Sequence, residues 1–464
     1  MEGGTTPHMN LSFKKRVQFT LSAFLICAIG IGAGLLWTTL GSPESRKEAA
    51  AENAQRSYLR GTIYDRNGNA VNYSKKVGGT RHYTGGRAYS TITGYYSKIY
   101  GASGIEKTFN SDLSYSRADS DDKKKGCDIV LTTDSDLQNA TYDAISNIAQ
   151  GAAVVLDARS GEILAMASTP TFEPGSLEDD WSKLTEINGL FLPNAYKKTF
   201  APGSDFKIIS ACAVIDNGVD SETVEDNGSM TFKNGQTITN YKGNAYGTLD
   251  LDGAIVNSSN VYFMQKALDM GGKNLESSIR KFLIGDPVEL DFTTLKSTLD
   301  FENYEDQVVA SVAFGQGRTE VTPLQMAMAA QAIANDGSML KPYLIKSMKE
   351  SNGNPKITGR KEKLTTVTSK STADRVTNAM TLAAEHYGFD YIGPEGWDVA
   401  AKTGTAETGK GNYNGWIVTF APSEKPKYVV VVMAASQDHD GIYYKDSVDE
   451  IYDALATYDQ NREN

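Results

Sequence analysis

The chain has 464 residues, enough for two to four domains at roughly 100 to 200 residues each. Its 40% hydrophobic and 22% charged composition is that of a folded protein and excludes wholesale disorder. A formal net charge of −11 argues against a polyanion-binding surface, and three cysteines with four scattered histidines supply neither a disulfide framework nor the spacing of a metal site.

No charge occurs between Val17 and Pro43, and the run Phe19–Leu40 is long enough as a helix to cross a hydrocarbon core of about 30 Å. Lys14, Lys15 and Arg16 precede it and Glu44 follows. The positive-inside rule therefore predicts a cytoplasmic tail over 1–16, an uncleaved single-pass cell-membrane anchor over 17–40, and an extracytoplasmic remainder. A cleavable signal peptide, the competing reading, needs a shorter apolar run and a small-residue cleavage site.

A polar stalk over Ser42–Ser57 leads to a strand–turn–strand signal over Arg60–Val71, with Asp65-Arg66-Asn67-Gly68 as the turn. Residues 72–126 show no long helical period and read as a small irregular domain ending in an exposed loop, Ser114–Lys125. Ile129–Leu131 reads as a strand. Asp134 reads as the cap of a helix running to about Gln150. Gly151–Ser168 reads as a hairpin around Asp157–Gly161. Helices are predicted over Ile208–Ile215, Pro323–Asn335 and Ser371–His386, then strands over Trp397–Lys402, Trp416–Ala421 and Tyr428–Ala434. A strand pair, a mostly helical middle and a closing meander predict an α+β fold with an antiparallel sheet.

Three motifs carry chemistry. Ser204 and Lys207 lie three apart after Pro202-Gly203 and before the apolar run Ile208–Val214, so one helical turn puts both side chains on one face. A serine hydroxyl needs a base to become a nucleophile, and a neutral lysine amine can be that base. The same spacing at Ser12/Lys15, Ser120/Lys123 and Ser278/Lys281 reads as coincidence in solvated segments. Ser258-Ser259-Asn260 is the one Ser-x-Asn of the chain, and taken alone it is equally a helix cap. Lys402-Thr403-Gly404-Thr405 follows a strand-like segment. Alone it reads as a strand end with a surface lysine, where Gly404 would let a ligand backbone approach.

In that order the three are the motif set of serine β-lactamases and penicillin-binding proteins. The chain resembles the class B penicillin-binding proteins, monofunctional peptidoglycan D,D-transpeptidases. Arg60–Gly68 and Gly101–Leu113 resemble the family's N-terminal pedestal motifs, Gly151–Pro174 its first strand pair, and Phe314–Ala327 its Gly-Gln-Gly segment before a helix. The resemblance implies a pedestal, dimerisation-like domain over 41–147 and a transpeptidase domain over 148–464. The pedestal is too short to hold a glycosyltransferase domain.

The resemblance further implies that Ser204 attacks D-Ala-D-Ala, Lys207 is the base, and Lys402 supplies a cation. Ser258 would relay the proton and Asn260 would hold Lys207. Thr403, Gly404 and Thr405 would form the substrate-binding strand, with no metal and no cofactor. Implied ligands are peptidoglycan stem peptides and β-lactams, and the implied partner is a membrane-embedded glycosyltransferase of the shape, elongation, division and sporulation (SEDS) type. One departure is Asp205, where the family more commonly has Thr or Val; the expectation is intact chemistry with an altered acylation rate. The alternatives are a membrane-anchored serine β-lactamase or β-lactam sensor, and a non-catalytic scaffold. Asn260 in place of a valine argues against the lysine-carboxylating lactamases, and a scaffold has no use for Ser204.

Overall fold

A computed structural model describes residues 58–115, 125–389, 392–394, 396–409 and 411–463. The expected tail 1–16, anchor 17–40 and stalk, and the stretch 116–124 of the expected loop, lie outside the described residues. Among those described, no helix is long and apolar enough to cross a membrane.

The N-terminal part opens as the turn chemistry dictates. Ile63–Tyr64 pairs antiparallel with Ala70–Ser74, and the Asp65 carboxylate closes the turn by accepting from the backbone N–H of Asn67 and Asn69 at 2.9 and 2.8 Å. Asp128–Leu131 lies parallel to the first strand. Ile345–Lys349 then pairs antiparallel with Asp128–Leu131 and carries Pro355–Thr358 outside it, so a six-stranded sheet draws two strands from far down the chain. The two parts of the molecule therefore interlock.

The Asp134 carboxylate caps the helix Ser135–Ile145 by accepting from Asp136 and Leu137 N–H, both at 3.1 Å. The helix stops short of the expected Gln150: the chain tightens into turns in which Ser146 N–H donates to the Asp143 carbonyl at 3.1 Å and Ile148 N–H to the Ile145 carbonyl at 2.9 Å, and the Gln150 carbonyl accepts from Ala435 N–H at 2.8 Å.

That central sheet is antiparallel, in the order Ala400–Gly409, Asn412–Ala421, Tyr428–Gln437, Gly151–Asp157, Ile163–Ser168. Its strands are covered on both faces, and the alternation of side chains sorts them into two cores. Ala152, Val154 and Leu156 pack with Ile208, Ile209, Leu324 and Ala327 of the helices Lys207–Asp216 and Pro323–Ala334. Ala153 and Val155 pack with Leu137 and Ile145 and with Val448 and Ile451 of the terminal helix Lys445–Glu463. The middle is less purely helical than its composition suggests. Two small ribbons, Val224–Asp226 with Gly247–Leu249 and Ser229–Thr231 with Thr237–Thr239, interrupt it.

One strand departs from expectation. The first strand of the closing meander runs Ala400–Gly409, so Lys402 to Thr405 stand in its interior and not at its end. Pairing decides this: Lys402 faces Val418, Gly404 faces Trp416 and Glu407 faces Tyr413 across a continuous ladder. Lys and Gly are disfavoured in strands, which offsets the strand preference of the two Thr.

Candidate active site

Ser204 stands in the 3₁₀ turn Gly203–Phe206, which runs directly into the buried helix Lys207–Asp216. The turn is held from both sides. Gly203 N–H donates to the Gly315 carbonyl at 3.0 Å, and Trp416 Nε1 donates to the Ala201 carbonyl at 3.0 Å. Gly203 has φ +56, and a Cβ there would lie 2.9 Å from the Thr405 carbonyl oxygen, so only glycine seats the nucleophile turn against the strand.

The Lys207 side chain is wholly buried. Its Nζ lies 2.9 Å from Ser204 Oγ and 3.2 Å from Ser258 Oγ, and it donates to the Ser258 carbonyl at 2.6 Å and to Asn260 Oδ1 at 2.7 Å. The Asn260 amide is oriented by its Nδ2, which donates to the Thr239 carbonyl at 2.8 Å. A neutral lysine has two N–H bonds and one lone pair. Two groups that only accept take both bonds, which leaves the lone pair facing the serine hydroxyls. Burial pushes the Lys207 amine well below its ordinary pKa, and the charge of Lys402 pushes it further in the same direction.

Ser258 bridges the two lysines: its Oγ accepts from Lys402 Nζ at 3.1 Å and lies within reach of Lys207. It holds a left-handed φ of +53, uncommon for a residue with a Cβ and costing on the order of 1–3 kcal/mol. The structure carries that strain through the next residues. Ser259 caps the helix Asn260–Met270 by accepting from Tyr262 N–H, and its hydroxyl donates to Asp226 Oδ2. Asp226 also accepts from Asn240 Nδ2 at 2.8 Å, and Asn240 Oδ1 accepts from Asn260 N–H at 2.7 Å and Val261 N–H at 3.1 Å. The cap reading and the active-site reading of Ser258-Ser259-Asn260 therefore both apply, to different serines.

Lys402 is also wholly buried, donates to the Thr403 carbonyl at 2.8 Å and lies over the Tyr387 ring at 5.9 Å. Burial lowers its pKa to about 8. Thr403 and Thr405 are half-exposed on the strand, which is the free edge of the central sheet. Thr405 Oγ1 accepts from Gly441 N–H at 3.2 Å. At Gly404 a Cβ would lie 2.9 Å from both Asp205 Cγ and the Pro202 carbonyl oxygen. The nucleophile turn therefore fills the space a side chain at 404 would need, and glycine is required there for packing.

The structure thus brings Ser204, Lys207, Ser258, Asn260 and Lys402 into one cluster, edged by Thr403 and Thr405. Ser278 of the coincidental pair is buried and hydrogen-bonded to Asn217, not solvated. Ser12/Lys15 and Ser120/Lys123 lie outside the described residues. Sequence reasoning missed Asp226, Asn240 and Thr239, whose segments carry no motif and reach the site only through the two ribbons. A cavity of about 1780 Å³ lies between the N-terminal part and the body, walled by Tyr100, Phe172, Phe191 and Tyr196. None of the converging groups lines it, so the chemistry belongs at Ser204.

Residues 151–454 match the penicillin-binding protein transpeptidase domain, and residues 60–130 match the penicillin-binding protein A dimerisation domain. The chain is 31% identical over 343 residues to penicillin-binding protein 3 of Bacillus subtilis, covering 69% of this chain and 50% of that one, so it spans half the length of this relative. It is 29% identical over 385 residues to the peptidoglycan D,D-transpeptidase PbpA of Mycolicibacterium smegmatis, covering 76% of this chain and 78% of that one. Among solved structures it superimposes on the penicillin G acyl-enzyme complex of penicillin-binding protein A from M. tuberculosis with a TM-score of 0.80 at 26% identity, covering 86% of this chain and 100% of that one. With the domain match running from the first strand of the hairpin into the terminal helix, the chain belongs to the penicillin-binding protein transpeptidase family, as a class B member.

Proposed function

We propose that the protein is a peptidoglycan D,D-transpeptidase that cross-links stem peptides in cell-wall synthesis and is inhibited by β-lactams. One observation carries the reading: Lys207 Nζ has pure acceptors at 2.6 and 2.7 Å and lies 2.9 Å from Ser204 Oγ, so that a neutral amine would turn its lone pair to the hydroxyl. Lys207 takes the hydroxyl proton as Ser204 attacks the carbonyl of a terminal D-Ala-D-Ala. The backbone N–H groups of Ser204 and Thr405 receive the oxyanion. Thr403, Thr405 and the Lys402 ammonium receive the terminal carboxylate, the peptide lying along the free edge of Ala400–Gly409 as an added strand. Ser258, touching both lysines, passes the proton to the departing D-alanine amine. The acyl-enzyme is then opened by an amine of a neighbouring stem peptide. A β-lactam enters the same steps and stops at the acyl stage.

Labelling with a fluorescent penicillin, followed by mass mapping, tests the assignment. The adduct is expected on Ser204 with a lifetime of hours; an adduct elsewhere overturns it, and turnover within a second makes the protein a β-lactamase.

We further propose that 17–40 anchors the protein in the cell membrane in a single pass, with 1–16 cytoplasmic, the pedestal 41–147 and transpeptidase domain 148–464 extracytoplasmic, and a SEDS-type glycosyltransferase as partner. The charge step at Lys14, Lys15 and Arg16 supports the orientation, and Gly30, Gly32, Ala33 and Gly34 supply small residues for close helix packing. Protease added outside protoplasts is expected to remove nearly everything beyond Ser42. Gly34→Leu is expected to weaken co-purification of the glycosyltransferase without changing penicillin binding.

A further inference from the structure

Asp205 follows the nucleophile and is wholly buried, yet neither carboxylate oxygen has a hydrogen-bond partner among the described residues. A charged carboxylate so placed is costly unless another charge balances it. Its position puts one buried cation on the same side of the neighbouring strand. Asp205 Cγ packs into the space that a Cβ on Gly404 would occupy, at 2.9 Å. In a strand, side chains two apart share a face and stand roughly 7 Å apart. Lys402 therefore projects on the face of the strand that Asp205 abuts, and Lys402 is itself buried with no carboxylate bonded to it among the described residues.

We propose that Asp205 is a positioning residue whose carboxylate is the counter-charge that keeps Lys402 an ammonium ion inside the dry site, so that Lys402 in turn holds Lys207 neutral. The inference rests on the transpeptidase reading above and adds to it a group that touches neither substrate nor nucleophile oxygen. With Lys207 neutral, Lys402 positive and Asp205 negative, the three buried groups sum to zero, whereas a threonine at 205 would leave Lys402 a lone buried cation. Burial pushes the Asp205 carboxyl well above its ordinary pKa and lowers Lys402 to about 8; the charge of each opposes that drift in the other, and Lys207 adds to the opposition at Asp205. The other groups facing this pair are Lys207 from its helix, Ser258 from the loop before Ser259, and Tyr387 at the end of the helix Lys370–His386. Asp226 stands behind Lys207, and Asp440 beside Tyr387.

The test is the pH dependence of acylation by a fluorescent penicillin, in the full chain and in Asp205→Asn and Asp205→Thr. In the unsubstituted protein the rate is expected to fall above about pH 8, as Lys402 loses its proton. Either substitution removes the charge that raises Lys402, so this alkaline limb should move down by about one to two pH units, with the acid limb displaced much less. Lys402→Arg stays charged and should lose the limb altogether, and Asp205→Asn added to it should restore no shift. An alkaline limb unmoved in folded Asp205→Asn or Asp205→Thr makes Asp205 a packing residue and overturns the proposal. If neither variant folds, an alkaline limb that persists unchanged in Lys402→Arg overturns it equally. Absence of acylation at Ser204 in the unsubstituted protein would instead sink the transpeptidase reading itself.

Discussion

Two buried charge clusters, one in the pedestal and one in the active site, use the same kinds of residue to opposite ends. In the pedestal, Glu106 accepts from Arg60 Nε at 2.8 Å, Arg81 Nε at 2.8 Å and Asn72 Nδ2 at 3.1 Å. Arg60 spends its remaining donors on Asn110, Ser114 and the Glu106 carbonyl, and stacks over Tyr96. Burial raises the Glu106 pKa, but Arg81 and Arg60 outweigh it and hold the carboxyl below its ordinary value. Both oxygens of the Glu106 carboxylate are hydrogen-bonded, and Arg81 Nη2 stands 2.8 Å from one of them as an ion pair. In the active site the carboxyl of Asp205 has no hydrogen-bond partner among the described residues and two lysines are buried, so protons are held loosely. A charge cluster whose carboxylate is fully hydrogen-bonded fixes architecture, whereas one whose carboxylate is bare can move a proton.

The sharpest way to break this contrast is Lys207→Arg. A guanidinium cannot be deprotonated in a protein, so acylation by penicillin should fall about a thousandfold, measured on material shown by circular dichroism to be folded. Equal rates would remove Lys207 as the base. Glu106→Gln probes the other cluster. It leaves two buried guanidinium groups uncompensated and should cost about 3–5 kcal/mol in denaturant unfolding, with Ser204 acylation of the folded protein retained. The pH sign follows from the lowered folded-state value. The Glu106 contribution is complete above the unfolded carboxylate pKa and lost as pH falls through the folded one, and Glu106→Gln should abolish that acid-side loss.

A smaller effect is expected from Asp226→Asn, which loosens the clamp on Ser259 and Asn240 without touching Ser204. Acylation should drop on the order of tenfold to a hundredfold through misplacement of Asn260. Because Asp226 raises the Lys207 pKa, the acid limb of the rate profile should move to lower pH. A limb moving upward would show that Asp226 does not act on Lys207. Lys402→Arg should be the mildest at neutral pH. It keeps the positive charge but replaces a single Nζ with a fork that cannot match the bonds to Ser258 and Thr403. A loss of about tenfold in acylation, with Ser204 still the labelled residue, is the expected outcome.

Much of the site could be read along the chain because its geometry is local. Ser204 and Lys207 share a face by helical spacing alone, and the apolar run behind them makes a buried helix under any packing. The hairpin Gly151–Ser168, the Asp134 cap and the helix beginning at Pro323 likewise follow from turn residues, caps and periodicity within a few positions of each other. Tertiary structure decided what depends on partners distant in the chain. Lys402 to Thr405 lie inside a strand only because Asn412–Ala421 pairs with it. The pedestal sheet is completed by strands beyond position 344, and the Gln150 carbonyl finds its partner in Ala435. Asp226 and Asn240 acquire a role only where two short ribbons carry them to the cap of Asn260–Met270. Asp205 stood out in sequence as an unusual neighbour of the nucleophile, but its opposing charge, Lys402, reaches it by strand placement, which no local spacing encodes.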